Sequence, residues 1–195
     1  MIYVLAACIA IGLFWGGLYV YWAAFRYRFS VISKGQVYQS AQMPAKVLLK
    51  FVRRYGIRTV IDMRRNGSRV AEERRTLAKG GVAYFHFPSR QVPSEETIER
   101  CLDIMDRPEN RPVLVHCRHG KGRSRLLAAL FRIEHEGWSN KRAWRATRIM
   151  PYLGSFAAHR RKGKFMLNYV ARRDDSAVFP PVEISLVSES FGETR

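Results

Sequence analysis

"VLVHCRHGKGRSR", residues 113–125, decides how the chain is read. Strand-forming residues lead into His116 and Cys117. Two glycines, a run of cations and Ser124 follow, with no acid among them. The pattern is strand, tight glycine loop, helix. In an open α/β sheet, ligands bind at the carboxyl ends of the strands. A loop there turns backbone N–H groups inward as an anion nest, with a helix N-terminus behind it. Gly120 and Gly122 allow the close backbone approach. Cys117 is the last residue before the nest, so N–H dipoles and neighbouring cations should acidify its thiol. Arg123 should return to the rim as the helix starts, its planar fork suited to a bidentate grip on phosphate.

Working outward, strands alternate with helices. Residues 46–56 have helical periodicity and a glycine stop, 57–63 are a β-branched buried strand, and 69–81 are a polar-faced helix. A second strand covers 82–87. Residues 94–105 form a helix that opens on Ser94 as N-cap, with Glu95 and Glu96 in its first turn. A third strand covers 112–116. Residues 124–137 are apolar over most of their face, as a central packed helix would be. Basic helices are expected over 139–150, capped by Ser139 or Asn140, and over 155–173. The alternation predicts an α/β fold, a central mostly parallel sheet flanked by helices.

The N-terminus is a different material. Residues 2–25 carry no charged side chain, and as a helix at about 1.5 Å per residue they would span a hydrocarbon core about 30 Å thick. A signal peptide wants a basic n-region, and only Met1 precedes this run, so an uncleaved anchor is the preferred reading. Arg26 and Arg28 flank its C-terminal end, which by the positive-inside rule places the remainder in the cytoplasm. Gly12 and Gly16 form a GxxxG pair, a weak signal for a homodimer through the membrane helix. The expected organisation is an anchor at 2–25, a juxtamembrane linker at 26–35, an α/β domain that carries the Cys117 loop at 36–173 and a loose tail at 174–195.

Composition narrows the partners. The chain of 195 residues has 34 Lys+Arg against 16 Asp+Glu, a formal net charge of +18. Such an excess favours anionic partners. The charges are dispersed, and there is no helix-turn-helix, zinc or RNP signature, so nucleic acid is not an expected partner. Cys8, Cys101 and Cys117 are odd in number and far apart, which suggests neither a disulfide framework nor a zinc site. Cys101 lies on an amphipathic helix and reads as core. Asp62 and Arg64 in "IDMRR" read as structural, closing a strand end near the site.

His116-Cys117-x5-Arg123-Ser124 resembles the cysteine-dependent protein tyrosine and dual-specificity phosphatase superfamily. "GQVYQSAQMP", "YGIRTVIDMR", "FHFPSRQVPSEE" and "RPVLVHCRHGKGRSR" fall in the order and spacing of its compact atypical members, from about Gln36 to about Met150. The resemblance implies that Cys117 attacks phosphorus, forms a phosphocysteine and is freed by water. Loop N–H groups across Arg118, His119, Gly120, Lys121, Gly122 and Arg123, with the Arg123 guanidinium, would hold the phosphoryl oxygens. Ser124 would donate to the leaving thiolate, and His116 would orient the loop and tune the thiol. The resemblance implies no metal and no cofactor.

One departure stands out. The family usually supplies an aspartate general acid from the loop that here reads "PSRQVPSEE", and Ser89, Arg90 and Gln91 occupy its positions. Either the acid comes from elsewhere, with Glu95, Glu96 and His119 as weak candidates, or the leaving group needs little protonation, as an aryl phosphate or a phosphoanhydride does. Arg118 and Lys121 inside the loop are similar to the pattern of phosphoinositide and phospholipid phosphatases. With the anchor and the cationic domain, they favour a phospholipid or polyphosphorylated small molecule over a phosphoprotein. A phosphate-binding module without turnover is the alternative of a different class.

Overall fold

A computed structural model of the chain describes residues 2–147 and 154–172. The expected tail at 174–195 lies outside the described residues, as do Arg173 and the last residues of the helix expected over 139–150.

Helix α1 (Ile2–Ala24) is an exposed helix of 23 residues, long and apolar enough to cross a membrane. A tight turn follows. The Trp22 indole donates to Phe29 O at 3.0 Å, and Ala41 N donates to Tyr27 O at 2.8 Å, tying the turn to the sheet.

Strand β1 (Ser30–Ser33) comes next, then β2 (Val37–Ala41), α2 (Ala45–Tyr55), β3 (Thr59–Asp62), α3 (Ser68–Lys79) and β4 (Ala83–His86). Helix α4 (Glu95–Asp106), β5 (Val113–Cys117), α5 (Arg123–Glu136), α6 (Asn140–Thr147) and α7 (Arg161–Leu167) complete the order. Ser94 Oγ accepts from Thr97 N at 3.3 Å, and Ser139 Oγ from Arg142 N at 3.3 Å, so both serines cap as expected.

The five strands run β1-β2-β5-β3-β4. Four of them are parallel, and β1 pairs antiparallel with β2, so the sheet is mixed. Its register aligns Ala41 with Cys117 and both Ser40 and Asp62 with His116. The carboxyl ends of the four parallel strands therefore share one edge of the sheet.

Alternate strand residues feed two cores. Val37, Ile61, Val113 and Val115 pack toward α4 and α5, while Tyr38, Val60 and Leu114 pack toward α2 and α3. Covering both faces removes the apolar surface of a parallel sheet from water. Cys101 and Phe131 are fully buried in the first core.

Two expectations need correction, and one strand lies where the sequence pattern assigned no element. Residues 26–35 are not wholly a linker, because Ser30–Ser33 pairs with β2 as an edge strand. Residues 37–41 form a strand buried along its whole length, although "VYQSA" shows no apolar alternation. The basic helix expected over 155–173 starts only at Arg161. A turn over 154–160 precedes it and folds Phe156 and Ala157 into the interior. Gly163 packs so closely on that turn that a Cβ there would lie 2.1 Å from Ala157 O.

Candidate active site

Cys117 ends β5, the central strand, and is 2% exposed. The next residues leave the sheet and re-enter a helix at Arg123. This turn requires Gly120 at φ +60, where a Cβ would meet Ala41 N at 2.6 Å. Only glycine accepts both that backbone geometry and that proximity. Behind the loop, the buried Gln39 side chain donates to Gly120 O at 3.2 Å and to Ser124 Oγ at 3.3 Å.

Ser124 Oγ lies 3.3 Å from Cys117 Sγ and 3.3 Å from Ser40 O. With the cysteine as a thiol, the serine proton can go to the carbonyl. With a thiolate, it can turn to sulfur. Burial by itself opposes the anion. The Ser124 hydroxyl, the N–H groups of Ser124 and Gly120, and Arg123 outweigh it and hold the thiol below the ordinary cysteine range.

Arg123 is braced from one side. Its Nη1 donates to Met63 O and, at 3.1 Å, to Ser89 O. Among the described residues, Nε and Nη2 make no hydrogen bond, so the other edge of the fork is available for two phosphate oxygens. The bond to Ser89 O also brings the loop that lacks an aspartate to the rim of the site.

Behind His116 lies a buried ionic network that the sequence reading saw only in part. Arg64 grips both oxygens of Asp62 and reaches Glu73 Oε2 at 2.7 Å. His116 Nε2 lies 2.7 Å from Glu73 Oε1, and Tyr84 OH donates to Asp62 Oδ2 at 2.6 Å. Burial favours neutral imidazole, but Glu73 and then Asp62 outweigh it and raise the His116 pKa above its ordinary value. Burial likewise pushes Asp62 up, but His116, Arg64 and Tyr84 prevail and lower it to about 2. Asp62, Glu73 and His116 offer three atoms within metal-binding reach of one another. The Arg64 guanidinium already bridges both carboxylates, however, so this cluster balances its own charge.

The remaining sequence candidates divide. Arg118, His119 and Lys121 are exposed on the loop, and Gly122 is half-buried. Arg28, beside the end of α1, donates to His119 O at 3.4 Å. Burial and then the nearby cations Arg118 and Lys121 lower the His119 pKa, leaving little imidazolium at neutral pH. Glu95 and Glu96 are exposed, and Glu96 pairs with Arg100 at 2.9 Å. Sequence reasoning missed Gln39, Glu73 and Lys162. Lys162 is 6% exposed, and its ammonium lies against Gly122, close enough that a Cβ there would meet Nζ at 2.7 Å. A charged residue on the inner side of a helix is the one sequence signal that points to Glu73.

The family described as "DSP-PTPase phosphatase fused to NAD+ Kinase" matches residues 30–159, two thirds of the chain. The chain is 27% identical over 109 residues to the dual specificity protein phosphatase TpbA of Pseudomonas aeruginosa, covering 55% of this chain and 47% of that protein. It therefore spans about half the length of the curated relatives it matches. Two solved structures share the fold. The core catalytic domain of the PP-IP phosphatase SIW14 from S. cerevisiae gives a TM-score of 0.59 at 20% identity, covering 76% of this chain and 86% of that one. Crystalline P. aeruginosa TpbA gives 0.51 at 24%, covering 68% and 78%.

Proposed function

The chain belongs to the phosphatase family described as DSP-PTPase phosphatase fused to NAD+ kinase, and on that premise we propose that it is a cysteine-dependent phosphatase working through a phosphocysteine. The observation that carries this reading is geometric: Ser124 Oγ lies 3.3 Å from the buried Cys117 sulfur, beside an Arg123 fork with one edge free, and these surroundings hold the thiol below the ordinary cysteine range. Cys117 thiolate attacks phosphorus in line, and the leaving oxygen departs. Loop N–H groups and Arg123 stabilise the equatorial oxygens. Water then attacks the phosphocysteine, and Ser124 donates its proton toward the departing sulfur.

We further propose a domain over residues 30–172 that works at a bilayer, anchored by α1 and facing the cytoplasm. Arg28 joins the end of that helix to the loop through His119 O, which supports a site close to the lipid surface. Exposed Arg118 and Lys121 then favour an anionic phospholipid or polyphosphorylated substrate; juxtamembrane cations add about 1 kcal/mol each to attraction for acidic lipid. SIW14, named a PP-IP phosphatase, fits the polyphosphorylated class. TpbA, named a dual specificity protein phosphatase, favours phosphoproteins as the second reading.

The test compares the protein with Cys117→Ser on an aryl phosphate, then follows phosphate release from vesicle phospholipids, inositol phosphates, nucleotides and phosphopeptides. Turnover that vanishes with Cys117→Ser supports the reading. Phosphate binding without turnover would make the chain a binding module, and a clear preference for peptides would overturn the lipid or polyphosphate assignment.

A further inference from the structure

Arg64 and Lys162 are the two buried Arg or Lys side chains among the described residues. Arg64 has two carboxylates. Lys162 has none: among the described residues no carboxylate pairs with it, and its ammonium lies 5.7 Å from the centre of the Phe156 ring. A desolvated ammonium without a carboxylate partner is costly to hold. Burial lowers its pKa, the Cys117 thiolate pulls it back up, and Arg123 pushes it down, so the sulfur at the head of the loop is the anion it feels.

Its position is built rather than incidental. The Nζ of Lys162 occupies space that any side chain at position 122 would claim. Gly163 lets α7 close onto the preceding turn, and Asn140 Nδ2 donates to Leu167 O at 3.2 Å and to Tyr169 O at 2.6 Å, fastening the C-terminal end of α7 to α6. The ammonium is thereby held against Gly122 of the loop before any ligand arrives, which removes part of the ordering cost of binding.

We propose that Lys162 is a ligand of the transferring phosphoryl group, reaching over Gly122 from α7 to donate to a non-bridging oxygen. This assignment rests on the phosphatase reading above. Lys162 and Arg123 together balance two charges, so the site selects a dianionic terminal phosphate, of a monoester or an anhydride, over a monoanionic phosphodiester.

Lys162→Met keeps the length of the side chain and removes its charge. Vanadate affinity and kcat/KM on an aryl phosphate should each fall about 10–100-fold, the range of a charge-assisted hydrogen bond. The thermal midpoint should hold or rise, because an unpaired buried charge is gone; a purely structural lysine would lower it instead. Lys162→Gln should fall between the two. If neither variant folds, the unsubstituted protein decides: titration of the Lys162 ammonium followed by NMR should move up when vanadate binds, and indifference to vanadate overturns the proposal. Wild-type turnover and vanadate binding that Lys162→Met leaves unchanged would remove Lys162 while leaving the phosphatase reading standing. A wild type that neither turns over nor binds vanadate would remove both.

Discussion

Glu73 Oε1 lies 2.7 Å from His116 Nε2, so a carboxylate from α3 meets the imidazole of the residue that precedes Cys117. Both side chains are almost fully buried, and Arg64 ties the same carboxylate to Asp62. Cys117 is thus carried on a strand whose preceding residue is anchored by charge to two other elements.

This pair gives stability a defined pH window. His116 has a raised folded pKa, so its contribution is complete below its ordinary value of 6.5 and is lost as pH rises through the raised value. Asp62 is lowered from 3.8 to about 2, so its contribution is complete above 3.8 and is lost as pH falls toward 2. Denaturant midpoints should therefore be highest between those two ordinary values and decline on both sides. Glu73→Gln should cost about 3 kcal/mol and abolish the alkaline decline. A variant with the wild-type pH profile would contradict the pairing.

Ser124→Ala should separate the two chemical steps. On the proposed phosphocysteine mechanism, the hydroxyl 3.3 Å from sulfur should stabilise the thiolate as it leaves phosphorus, so hydrolysis of the intermediate in Ser124→Ala should slow about 10-fold or more. Rapid-quench kinetics on an aryl phosphate should show a burst of phenol followed by a slow steady state. Equal loss in both phases would place the serine's effect on loop shape alone.

Gly120→Ala should collapse the nest. Its φ of +60 costs a non-glycine residue about 1 kcal/mol, and its Cβ would sit 2.6 Å from Ala41 N. Turnover and vanadate binding should fall together, by about 100-fold, the loss expected when oriented N–H donors are misplaced. Retained vanadate affinity would show that the loop tolerates the side chain.

The leaving group should matter more than usual. Ser89, Arg90 and Gln91 stand where the resembled family has its acid, His119 is short of imidazolium at neutral pH, and Glu96 is engaged by Arg100. Across a series of aryl and alkyl phosphates, kcat/KM should drop steeply as the leaving-group pKa rises. Glu95→Gln and Glu96→Gln should leave that slope unchanged. A selective loss on alkyl phosphates in either variant would identify it as the donor.

What the sequence determined by itself is the contiguous chemistry. Cys117 ends one strand, and Gly120, Gly122, Arg123 and Ser124 follow within one loop and the first turn of the next helix, where spacing along the chain is spacing in space. The alternating strands and helices were legible for the same reason, since periodicity and caps are local signals. Tertiary packing alone decided the rest. Gln39 and Ser40 sit in a strand without apolar alternation, and their buried polar atoms face the loop and the Ser124 hydroxyl, in contacts no local pattern announces. Glu73 reaches His116 because β3 lies beside β5 and α3 packs over them. Lys162 reaches Gly122 because α7 folds back across the start of α5. A charge is buried where distant elements meet, and only the packed fold brings those elements together.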